Sequence, residues 1–245
     1  MLRLGLGIIL MFRSYRDKIF CFSPLAMIVT CIIEISFLLY IIWRYKFNKL
    51  SRLVALMLLL LASFQLAEYR VCTGSSSLIQ WSHIGYVAIT LLPPLGIHII
   101  STITGKKNRS LIYVGYLSAA AFVLYFALSA RSLTGDACLG NYVIFQVNTS
   151  LTWLYAVYYY GWVLMGLFTS IKFALQSKQP AQKSALYGFS LGYAAFLIPT
   201  TTVNLIDRAT LNGIPSIMCG FAVLLAIIVT IWVMPRVGVY RRKKT

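Results

Sequence analysis

Acidic residues are nearly missing from this chain of 245 residues: five Asp and Glu stand against 22 Lys and Arg. Charge of either sign is scarce, at 11% of positions where a soluble domain carries about a quarter. With 60% hydrophobic residues and a mean hydropathy of +0.81, the chain has too little polar material to cover a water-facing surface, so lipid must be its solvent. A membrane span takes about 20 apolar residues, so seven spans and short connections fill the length and leave no room for a soluble catalytic domain. A net charge of +17 on one face of a soluble domain would point to nucleic acid. Here the basic residues punctuate apolar runs, an arrangement explained by the positive-inside bias and attraction to anionic headgroups, and nucleic acid drops out as a partner.

Signatures of chemistry are absent too. The sequence has no Cys-x-x-Cys pair, no Gly-x-Ser-x-Gly elbow, no His-Glu-x-x-His helix and no phosphate-cradling loop, so no enzyme and no metal site are expected. The two histidines, His83 and His98, lie in one apolar run about four turns apart, whereas a bis-histidine haem needs them at matching depth on different helices. The last run, Ile214–Met234, holds no lysine to form a retinal Schiff base. No cofactor is expected.

Apolar runs between charged breaks place spans at Pro24–Trp43, Leu53–Tyr69, Ile84–Thr104, Leu111–Ala130, Leu151–Ala174, Ala185–Ile206 and Ile214–Met234. Alternate connections carry Arg44, Lys46, Lys49 and Arg52; Lys106, Lys107 and Arg109; Lys172, Lys178 and Lys183; then Arg236 and the basic end of the chain. The opposite connections hold Arg70, Arg131 and Arg208 with Asp136 and Asp207. That asymmetry predicts an all-α bundle of seven transmembrane helices with its amino terminus outside and its carboxyl tail in the cytoplasm. Three parts follow: residues 1–23, an interfacial helix or an upstream extension; the seven-helix domain, 24–235; and the tail, 236–245. The expected location is an integral protein of the bacterial inner membrane.

Ionisable groups inside a span cost a few kcal/mol each, so each asks for a partner or a purpose. Glu34 lies near the middle of the first run, and it reads either as a protonated acid bonded to a neighbouring helix or as a proton carrier. His98 is the other deeply placed ionisable group. Pro93-Pro94 in the third run and Pro199 in the sixth predict opened turns, found at ligand cavities and in structural kinks alike. Tyr155, Tyr158, Tyr159 and Trp162 form one aromatic face of the fifth run, either packed in the bundle or lining a cavity. Toward the outer end the sequence gathers Gln65, Glu68, Tyr69, Trp81, His83, Tyr155, Tyr158, Asn204 and Asp207 as candidate ligand-binding residues. Cys72 and Cys138 both fall in outer connections and are expected to pair as a disulfide, and Gly140-Asn141 before Tyr142–Val147 predicts a small hairpin between the fourth and fifth spans.

Trp81-Ser82-His83-Ile84-Gly85-Tyr86 leading to Leu92-Pro93-Pro94, with Gln182 ahead of a run holding Pro199 and Asn204, resembles the seven-span amino-terminal sensor region of bacterial histidine kinases. The resemblance covers most of the chain after residue 24. It implies an outward-facing sensor that binds a small ligand and signals through a separate cytoplasmic partner. Two other classes fit the residues: a non-catalytic accessory subunit of a larger membrane complex, and a small transporter in which Glu34 carries a proton and the prolines break helices at the substrate.

Overall fold

The computed structural model describes residues 24–74, 81–106, 108–129, 133–139, 142–147, 149–206 and 214–240. Side chains of residues 133–150, 203, 204, 214–217 and 219 lie outside that description. Seven helices of at least 15 residues follow in order: α1 Pro24–Arg44, α2 Lys49–Cys72, α3 Trp81–Thr104, α4 Arg109–Leu128, α5 Thr149–Gln176, α6 Pro180–Ile206 and α7 Ile214–Ile228. Beyond α7 a π-helical turn, Val229–Val233, leads into a last helical turn, Met234–Val237. Between α4 and α5, strands β1 Leu133–Leu139 and β2 Tyr142–Val147 pair antiparallel, with Leu139 opposite Tyr142.

Helix ends obey local chemistry. Asn48 caps α2 by accepting the Ser51 N–H at 3.0 Å, which starts the helix four residues before the apolar run at Leu53. At the far end the Thr73 N–H bonds to the Tyr69 carbonyl and Gly74 takes φ +66°, the left-handed conformation that stops a helix. A single stripe of α1 is buried, through Met27, Cys31, Glu34, Ile41 and Tyr45 at spacings of one or two turns. Its other faces show Leu25, Ile32, Leu39 and Trp43 to the surroundings. Apolar exposure of that extent on every outer helix face suits hydrocarbon and not water.

α3 is the centre of the bundle. It packs against α2, α4, α5 and α6, while α7 closes the circle against α6, α1 and α2. The hairpin lies over the ends of α2, α3, α5 and α7. Among the described residues six helical stretches are long and apolar enough to cross a membrane, five within α1 to α5 and one, Gly220–Val237, running from α7 through the π turn, the build of an integral membrane protein in contact with lipid. α6 is 27 residues long. Its core face is fully enclosed at Ala185, Leu186 and Phe189.

Candidate functional site

Pro93 and Pro94 are buried in the middle of α3. Proline carries no N–H, so Pro94 deprives the Thr90 carbonyl, four residues earlier, of its helical partner. α5 supplies a replacement: the Tyr158 hydroxyl donates to that carbonyl at 2.6 Å. The Thr90 hydroxyl donates to the Tyr86 carbonyl at 2.6 Å, which leaves the Tyr155 hydroxyl to donate to Thr90 Oγ1 at 3.1 Å. Rings seal this knot, with Tyr155 5.2 Å from Phe126 and Tyr158 4.8 Å from Phe122, centre to centre.

α4 also rests on the kink. A β-carbon on Gly115 would lie 3.1 Å from Pro94 Cβ, so only glycine lets α4 come so close without displacing it. Away from that contact α4 and α5 diverge, and a crevice opens between them. It encloses about 1230 Å³, counting space open to the surroundings, between Ser118, Phe122 and Tyr125 on one wall and Tyr158, Gly161 and Trp162 on the other. The walls are almost wholly apolar. Ser118 on the α4 wall accepts the Trp162 indole N–H at 3.0 Å and donates to the Gly115 carbonyl at 2.9 Å. At Gly161 a β-carbon would meet nothing within 4 Å, so the open space begins at the helix backbone itself.

On the opposite side of the bundle, Glu34 and Glu68 are fully enclosed, 0% and 1% exposed. They lie within electrostatic reach of each other across the α1–α2 interface. Gln65, one turn before Glu68, is likewise 1% exposed. Gln65 and Glu68 therefore do not line an open rim. Of the other candidate residues, Tyr155 and Tyr158 share the aromatic knot and Tyr69 packs at its edge. Trp81 lies under the Arg70 guanidinium, 5.6 Å from ring centre to carbon, which ties the ends of α2 and α3. His83 is partly buried near the start of α3. His98 Nδ1 pairs with the Tyr116 hydroxyl of α4 at 3.2 Å. The hydroxyls of Thr200, Thr201 and Thr202 all turn back to carbonyls of α6. Cys72 is disulfide-bonded. Asn204 and Cys138 by their side chains, and Asp207 and Arg208 entirely, lie outside the described residues.

The bundle end that holds Tyr45, Ile103 and Tyr240 is stapled. Lys46 N–H bonds to the Val239 carbonyl at 2.7 Å, Tyr45 stacks on Tyr240 at 4.9 Å, and the Arg44 guanidinium lies 4.7 Å over the Tyr240 ring. Burial pushes the Tyr45 phenol above its ordinary range. Gln182 donates to the Ile103 carbonyl at 2.7 Å and Lys106 to Gln176 at 2.9 Å, joining the ends of α3, α5 and α6.

The chain matches no protein-family model, no curated protein and no solved structure.

Sequence reasoning singled out Tyr158 and the prolines but missed what joins them. Thr90 reads as an ordinary small polar residue in an apolar run. Its place four residues before Pro94 is the signal that its carbonyl needs an outside donor. Ser118, Phe122 and Tyr125 recur at spacings of four and three along α4, a face that pattern alone assigns equally well to lipid.

Proposed function

We propose that the protein is a seven-span membrane sensor, amino terminus outside and carboxyl tail cytoplasmic, in a bacterial inner membrane. It takes a small, mainly apolar molecule with one hydrogen-bonding group from the lipid into the α4–α5 crevice. Occupancy then shifts the α3 kink, and the stapled inner ends pass that shift to a cytoplasmic protein partner. One observation carries the reading: Tyr158 lines the crevice and, with the same side chain, holds the carbonyl freed by Pro94. A guest that moves the ring changes the bond, so crevice and kink cannot respond independently.

Basic residues on alternate connections support seven spans in that orientation, with α6 as the sixth. A Cys72–Cys138 bond belongs to the same proposal, tying the outer end of α2 to β1 on the oxidising side. The resemblance to the sensor regions of histidine kinases supports a signalling role over an accessory one.

The test uses 2-naphthol, an apolar ring system with one hydroxyl, on the full chain in detergent micelles. Thermal unfolding should rise with 2-naphthol in the wild type and stay unmoved in Gly161→Leu, whose new side chain enters the crevice from a position where a β-carbon meets nothing within 4 Å. Naphthalene should act more weakly, for want of a group to meet Ser118. Equal stabilisation of the wild type and Gly161→Leu would refute the site.

A further inference from the structure

We propose that a core cavity beside the α3 kink, separate from the α4–α5 crevice, binds water between the Tyr193 hydroxyl of α6 and the Ile89 carbonyl of α3. The cavity lies where five helices meet, and its walls include Met57 of α2, Pro93 and Gly96 of α3, Val163 of α5, Tyr193 of α6 and Met218 of α7. It leaves about 30 Å³ to the centre of a water molecule, where one water needs about 10–15 Å³, so one or two fit. Tyr193 is 3% exposed, and its phenol reaches the cavity by passing between two glycines. A β-carbon on Gly96 would strike the hydroxyl, and one on Gly166 would lie 2.8 Å from it. The ring rests on Phe189 and Phe196, and no hydrogen bond among the described residues takes its hydroxyl.

α3 supplies the complement. Pro93 has no N–H, so the Ile89 carbonyl loses its helical partner just as the Thr90 carbonyl does to Pro94. Tyr158 donates to Thr90, but no side chain among the described residues donates to Ile89. A helical carbonyl points at the residue four positions on, here Pro93 itself, and Pro93 is in the cavity wall with Leu92 and Gly96. The freed carbonyl therefore opens on the face of α3 that borders the cavity. A donor on one wall and an acceptor on another, both buried and not bonded to each other, call for a molecule that accepts from the first and donates to the second. Water does both. An apolar guest would leave both groups unpaired, and an ion would find no charged side chain in the walls. The kink is then held by the Tyr158 hydroxyl on one face and by an exchangeable water on the other. The cavity shares no lining residue with the crevice, so either site can fail without the other.

Radiolytic footprinting of the full chain in detergent micelles reads the site, because hydroxyl radicals formed from an interior water oxidise the side chains beside it. Methionine reports well, since its thioether takes up oxygen to give the sulfoxide. Met57 and Met218, 2% and 1% exposed, both line the cavity, whereas Met234, 0% exposed, does not. In the wild type Met57 and Met218 should be oxidised faster than Met234. Tyr193→Phe, which keeps the ring and removes the hydroxyl, should abolish that excess. Ala222→Leu, which fills the cavity from α7, should abolish it too and stands in if Tyr193→Phe does not fold. Oxidation of Met57 and Met218 no faster than that of Met234 in the wild type overturns the proposal. So does an excess that Tyr193→Phe, or Ala222→Leu in its place, leaves intact.

Discussion

Tyr158 has a hydroxyl with one task and a ring with another, and the two separate by mutation. Tyr158→Phe keeps the ring against Phe122 but leaves the Thr90 carbonyl buried without a donor, which costs about 1–3 kcal/mol. Chemical denaturation in a fixed micelle should find a loss of that size, and a change below about 0.5 kcal/mol would mean that other groups satisfy the carbonyl. At the end of α1, Tyr45 carries a pH prediction. Its folded phenol is raised by burial, whereas the unfolded phenol ionises near pH 10. The folded state therefore holds its proton more tightly, and the contribution is fully present below about pH 10 and lost as pH rises toward the folded value. Comparing the wild type with Tyr45→Phe in alkaline unfolding isolates it: the stability difference between them should narrow or reverse above that pH, and a constant difference would contradict the assignment. The depth of Glu34 was legible in sequence because a carboxyl in an apolar run stands out. Its neighbour Glu68 lies on another helix, at a depth that no spacing along one chain specifies.

Helices and their joints were the more legible scale. Charged breaks bounded each apolar run, and the helices found overlap all seven, but α2 starts at a cap that hydropathy does not weigh, Asn48, and α3 starts three residues before Ile84. The π turn at Val229–Val233 left no mark, since Val-Thr-Ile-Trp-Val is an ordinary apolar stretch. Gly188 on α6 lets a neighbouring helix approach closely. A β-carbon at Gly188 would lie 2.7 Å from Trp232 Cδ1, and that indole is held by Ser184 through its carbonyl at 3.2 Å. Gly188→Val should cost about 1–3 kcal/mol by forcing the ring off its anchor. Gly161→Leu, facing open space, should be neutral or stabilising by up to about 1 kcal/mol through helix propensity. Thermal unfolding of the two variants side by side checks both signs, and a penalty at Gly161 equal to that at Gly188 would argue that the α4–α5 crevice closes.

Across the whole molecule, a central α3 is gripped at its kink by Tyr158 and held at its Ile103 end by Gln182, the two contacts on which the proposed coupling rests. Composition announced the solvent and the mainly helical build, but not that Gln65 and Glu68 would be buried on α2 while Tyr155 and Tyr158 join an aromatic knot. That division depends on which helices become neighbours, and α3 touches four of them. The proposed Cys72–Cys138 pairing is checked by alkylating the unfolded chain without reductant: Cys138→Ser should expose a reactive thiol at Cys72, and an unchanged Cys72 would give it a different partner. The coupling itself is read by hydrogen exchange along α3 with and without 2-naphthol, in the wild type and in Tyr158→Phe. The account predicts that 2-naphthol alters exchange from Tyr86 through the kink to Thr104 in the wild type, and that Tyr158→Phe confines the change to α4 and α5. An α3 response of equal size in both proteins, or none in either, would contradict it.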